Sequence, residues 1–174
     1  MDYNPRPTGA PPSPVEPTGF FTGVQIRPII VGVVVDYIAT YAATYAYFFV
    51  YVAEELSKRG EVSPEVITAY MLSDEGLIIG FVIGSLCTAL GGFVAARKAG
   101  KLEIKHGAFV GLGSLIVSAI EQAMQEDPVV LPEWFRFVSV LSIIPAGALG
   151  GFVAELIKGV AGSASGGGRP RGTS

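Results

Sequence analysis

One cysteine and one histidine in 174 residues leave no material for a disulfide framework or a Cys/His metal cage. Charge is scarce as well. Only 16% of the residues are charged, against about 25% in an ordinary soluble domain. Twelve Lys and Arg stand against 15 Asp and Glu, a formal net charge of −3, so the chain offers no basic footprint for nucleic acid. Catalytic signatures are missing too: no Gly-rich phosphate loop ahead of a Lys, no H-E-x-x-H and no nucleophile elbow. A single His and a single Cys make a hydrolytic triad hard to build. Asp36 and Glu155 could form an acid pair only if both were deep, and Glu155 sits near the end of its apolar stretch. The expectation is a non-enzymatic chain that takes no cofactor and no metal.

Apolar residues, by contrast, make up 50% of the chain, and the mean hydropathy is +0.51. They fall in four stretches, at about 28–53, 76–96, 106–124 and 137–157. About 20 residues at a 1.5 Å rise cross a hydrocarbon core of roughly 30 Å, so each stretch is long enough to span. The first exceeds that length and should tilt or project. The third loses its apolar character at Glu121 and Gln122, and its alternative is a re-entrant segment. The fold class expected is therefore all-α, a polytopic membrane protein with four transmembrane helices over 28–161. A Pro-rich disordered cytoplasmic tail (1–27) precedes it and a Gly-rich flexible cytoplasmic tail (162–174) follows. Phe20 and Phe21 are candidates for touching the membrane interface.

Charge distribution decides the topology expected. With four crossings and both termini inside, the inner segments hold Arg6, Arg27, Arg97, Lys98, Lys101, Lys105, Lys158, Arg169 and Arg171. The outer loops then hold only Lys58, Arg59 and Arg136, with ten acids from Glu54 to Glu133. Cytoplasmic enrichment in Lys and Arg orients membrane helices, so N-in/C-in follows. The turn carrying Arg97, Lys98, Lys101 and Lys105 is explained by orientation, and it is also a candidate for lipid headgroups. His106, beside that turn, should be solvated at the interface. In the first outer loop, Ser63-Pro64-Glu65 pairs a cap with an N1 proline and predicts a brief helix. In the second, Trp134 suits headgroup depth.

A seven-residue repeat joins the second and fourth stretches: Ala89-Leu90-Gly91-Gly92-Phe93-Val94-Ala95 returns as Ala148-Leu149-Gly150-Gly151-Phe152-Val153-Ala154. Both copies run the same way, which suggests a tandem two-helix repeat. Small residues recur at helical spacing: Gly80, Gly84, Thr88 and Gly92 in the second stretch, Gly107 and Gly111 in the third, and Gly147, Gly150 and Gly151 in the fourth. Such residues let helix backbones approach closely in lipid. They are expected to mark packing faces, inside one bundle or against other subunits.

Asp36 is the residue of greatest chemical interest. It shares one face with Gly32, Thr40 and Thr44, beside a stripe of Tyr37, Tyr41 and Tyr45. An acid at the centre of a membrane helix costs about 2.5–3.5 kcal/mol on insertion scales. It can relay protons, coordinate a cation or pair with a basic substrate; its structural alternative is a hydrogen bond to a Tyr or Ser of a neighbouring helix. The tyrosines fit packing, or contact with a flat apolar partner.

Gly91-Gly92-Phe93-Val94-Ala95-Ala96-Arg97, followed by Ile104-Lys105-His106-Gly107-Ala108, resembles small four-helix bacterial membrane proteins of unknown function. Those chains end a second helix in G-G-[FY]-x-A-x-R, turn through basic residues and begin a third with H-G. Many carry G-x-x-x-D in the first helix, matched here by Gly32 and Asp36. The likeness covers Ile30 to Ile120; the Pro-rich head and Gly-rich tail depart from it. It implies a four-helix architecture and a bacterial inner-membrane address. The function expected from all this is a non-catalytic membrane subunit or scaffold, packed through its small-residue faces against other subunits or copies of itself. The alternative is a small homo-oligomeric transporter or channel that uses Asp36 for proton or cation coupling.

Overall fold

The computed structural model describes residues 19, 21–60, 63–126 and 130–165. The expected disorder of residues 1–18 and of 166–174, and the role suggested for Phe20, lie outside the described residues. Helix α1 (Ile26–Tyr47) continues through a π-turn at Phe48–Val52 into α2 (Ala53–Arg59). The rod stops at Gly60, whose φ of 72° is a left-handed cap that only glycine adopts without strain. Ser63 then caps α3 (Pro64–Met71) by accepting the Val66 N–H, with Pro64 in the first turn. This is the brief helix its sequence predicts. The same Ser63 hydroxyl holds the exposed Glu65 carboxyl below its ordinary range.

Ser73 caps α4 (Asp74–Ala99) through the Gly76 N–H. Gly100, at φ 65°, ends it, and Leu102, at φ 50°, turns the chain into α5 (Glu103–Met124). Helix α6 (Glu133–Ser165) runs through Pro145 to the end of the described chain, so residues 162–165, expected in the flexible tail, are instead helical. Four helical segments are long and apolar enough to cross a membrane: Ile26–Lys58, Asp74–Ala99, Glu103–Met124 and Glu133–Ala161. The third stretch is thus a full-length helix, because Glu103 and Ile104 add a turn ahead of His106.

Helices α4 and α5 form the centre. Each touches α1 on one side and α6 on the other, while α1 and α6 do not meet among the described residues. Glycines set the spacing. A β-carbon on Gly91 would strike the Gly32 carbonyl, and one on Gly107 would strike the Gly147 carbonyl. Gly92 lies against Gly147, Gly111 against Ile143, and Gly151 against Glu103, in each case backbone to backbone. The two copies of the repeat cross there, since Gly150 sits on the backbone of Ala89 and Phe93. Backbone meets backbone at these points, so dispersion between close main chains replaces the hydrophobic drive that lipid removes.

Two expectations are corrected at the end of the bundle where α1 begins. The sequence leads one to expect a disordered tail through residue 27. Instead α1 starts at Ile26, and the stretch before it is docked: the Gln25 side chain donates to the Ala99 carbonyl at 3.2 Å, and the Phe21 ring lies 5.7 Å from that of Phe109. His106 was expected in interfacial water but is completely buried. Its Nε2 accepts the Gln25 N–H at 3.0 Å, which puts the ring proton on Nδ1, 3.0 Å from the Leu102 carbonyl. Both ring nitrogens therefore find protein partners.

A polar cleft in the wide half of the bundle

The glycine crossings close one half of the bundle and leave the other open. Gly80 and Gly84, expected among the packing residues, have nothing within 4 Å of a built β-carbon. They face a cavity of about 350 Å³ instead. The cavity is bounded by Asp36 to Thr44 of α1, Gly80 to Thr88 of α4, Ser114 to Glu121 of α5 and Phe135 to Ile143 of α6. Each helix contributes seven or eight residues of rise, so the cleft is about 10–12 Å deep on every wall. It occupies the half of the bundle that holds the end of α5 and the start of α6.

Asp36 sits at the floor, 3% exposed. The close approach of Gly32 to Gly91 brings it there, since the Asp36 β-carbon is itself 2.9 Å from a β-carbon built on Gly91. Hydroxyls from three helices converge on its carboxyl group. Thr40, one turn along α1, donates to Oδ1 at 3.3 Å; Thr88 of α4 and Ser114 of α5 donate to Oδ2 at 3.0 and 2.5 Å. Hydroxyls can donate or accept, so this cluster can satisfy either protonation state of the acid. Among the described residues no Lys or Arg lines the cleft.

Glu121 marks the upper level. The hydroxyls of Tyr37 and Tyr41 donate to its two carboxylate oxygens at 3.3 and 3.4 Å, and the Tyr37 hydroxyl also lies 3.2 Å from that of Ser118. Phe81 and Phe135 add apolar walls, while Thr44, Ser85 and Ser139 add hydroxyls. The cleft therefore combines two acids, many hydroxyls and aromatic faces. Among the described residues no group of three or more His, Cys, Asp or Glu side chains is placed to hold a metal.

The structure brings Asp36, Tyr37, Thr40, Tyr41 and Thr44 together on this cleft. Tyr45 stands apart, exposed and stacked on Phe49. Thr88, grouped with the small packing residues, is a donor to Asp36. Gly92, Gly107, Gly111, Gly147, Gly150 and Gly151 lie at helix crossings within the chain. The cations of the turn lie at the opposite end: Arg97, Lys98 and Lys101 are exposed, Lys105 is half-buried, and Arg97 lies over the Phe93 ring. Beside them Lys158 donates to the Gly100 carbonyl and pairs with Glu103, each at 2.6 Å.

Sequence reasoning missed Ser114, Glu121, Ser85 and Ser139 as cleft residues. A signal existed for two of them. Gly107, Gly111, Ser114, Ser118 and Glu121 follow one helical face, so the stripe that begins as a glycine crossing ends as a polar wall. No protein-family model, curated protein or solved structure matches the chain.

Proposed function

We propose that this chain is a small multi-pass membrane transporter or channel that takes a cation, or a proton, at Asp36. The observation that carries this reading is a buried acid at the floor of an open polar cleft with no basic residue on its walls among the described residues. Intramembrane acids that face a cavity commonly belong to ion or proton pathways. The positive partner that balances Asp36 comes from outside the chain.

A purely structural subunit draws less support. The small residues at Gly92, Gly107, Gly111, Gly147, Gly150 and Gly151, which such a subunit could offer to partners, are occupied within the chain. The orientation we favour puts the basic end, with Arg27, Arg97, Lys98, Lys101 and Lys158, at the cytoplasmic face of a bacterial inner membrane. Both termini then lie inside, the turn cations meet anionic headgroups, and the cleft opens outward. Four helices enclose little volume beyond the cleft, which favours a homo-oligomer.

The test is flux into liposomes containing the purified chain, read with a pH-sensitive dye under imposed proton, Na⁺ and K⁺ gradients. Flux is expected for at least one ion with the wild type, and its loss is expected with Asp36→Asn. Unchanged flux in that variant would remove Asp36 from the pathway.

A further inference from the structure

Resting on the proposal that the cleft takes a cation, we infer that its ligand is an elongated organic cation with an amino group at each end. Three observations carry this. First, the cleft holds two acids at different depths, not one. Ser114 touches Asp36 at the floor, and Glu121 stands seven residues farther along the same helix, a rise of about 10 Å. Second, the space between them is flanked by aromatic and apolar surface from Tyr37, Phe81, Phe135 and Ile143. Aromatic faces attract ammonium groups and pack against alkyl chains. Third, the described residues are poorly suited to a bare divalent metal ion, which draws its six or more oxygens largely from carboxylates: no group of three or more His, Cys, Asp or Glu side chains among them is placed to hold one.

The geometry sets the length. One ammonium pairs with Asp36 and a second with Glu121, whose bonds to Tyr37 and Tyr41 are long, at 3.3 and 3.4 Å, and leave lone pairs free. An extended chain advances about 1.2 Å per bond, so a rise of about 10 Å admits at most about seven methylenes between the two nitrogens, and fewer where the ammonium groups stand between the acids. Hydroxyls along the way solvate the ammonium heads during entry. A neutral solute of the same shape would leave both acids without a counter-charge.

The experiment is calorimetric titration of the full-length chain in phosphatidylcholine nanodiscs with diaminoheptane, heptylamine, heptanediol and NaCl, empty nanodiscs serving as the blank. Diaminoheptane is expected to bind at least tenfold tighter than heptylamine, and heptanediol not to bind. Glu121→Gln, at the rim and away from the helix crossings, should abolish the diamine advantage while leaving heptylamine affinity unchanged; Asp36→Asn should remove both. Equal affinity for the two amines, lost only in Asp36→Asn, would overturn the two-acid inference and leave the cation proposal standing. Sodium binding or flux sensitive to Asp36→Asn, with no amine binding, would overturn the organic ligand alone. No binding of any of these probes and no ion flux would overturn the inference and the proposed function together.

Discussion

Replacing Gly147 by Ala tests whether backbone contact holds the bundle. A β-carbon there would sit on the Gly107 carbonyl oxygen and 2.9 Å from the Gly111 nitrogen. Both are main-chain atoms of α5 and cannot rotate away, so α5 and α6 must separate. Overpacking of a tight core costs about 1–3 kcal/mol. This site belongs at the upper end, because parting the helices also loosens the contacts at Gly107 and Gly111. The Ala itself favours the helix by about 1 kcal/mol over Gly. The net expectation is a loss of about 2 kcal/mol. Gly84→Ala is the matched control, since nothing lies within 4 Å of its β-carbon; there only the helix term acts, giving a gain of up to about 1 kcal/mol. Equilibrium unfolding by SDS in mixed micelles, followed by circular dichroism, measures both. Equal effects at the two glycines would refute the division of the bundle into a closed and an open half.

Two further predictions follow from named hydrogen bonds. Asp36→Leu leaves the buried Thr88 and Ser114 hydroxyls without their acceptor, at about 1–3 kcal/mol for each unsatisfied group, whereas Asp36→Asn keeps an acceptor and should cost less; the same SDS titration compares them. His106→Ala removes the acceptor of the Gln25 N–H, so hydrogen exchange at Gln25 should accelerate at least tenfold while exchange along α4 stays unchanged.

Much of this architecture was legible in the sequence because lipid imposes a simple rule. Every backbone polar group must be satisfied within the segment, so four apolar runs of sufficient length had to be helices. Ser63-Pro64 likewise carries its own physics, a side-chain acceptor followed by a residue without an N–H. Helical spacing also placed Asp36, Thr40 and Thr44 on one face. What spacing cannot give is which face meets which helix. Gly80, Gly84 and Gly92 look equivalent along α4, yet two face a cavity and one touches Gly147. That difference arises where α4 and α6 cross, from the pairing of glycines on separate helices. The burial of His106 is hidden in the sequence for a related reason. Its burial depends on Gln25 and Leu102 supplying a donor and an acceptor, and neither partner is visible from a lone histidine beside a basic turn.

The central claim is that water and solute reach down the cleft between the helices. In a Cys87→Ala background, single cysteines at Ser85 and Leu86 compare adjacent positions at nearly the same depth on α4. Ser85 lines the cleft, whereas Leu86 is 66% exposed on the outer face of the helix. A membrane-impermeant maleimide applied to intact cells reacts only with a hydrated thiol. Labelling of Ser85→Cys from outside, with Leu86→Cys unlabelled, is the result expected. Failure to label either position, in protein that is folded and inserted, would contradict an aqueous cleft and the function built upon it.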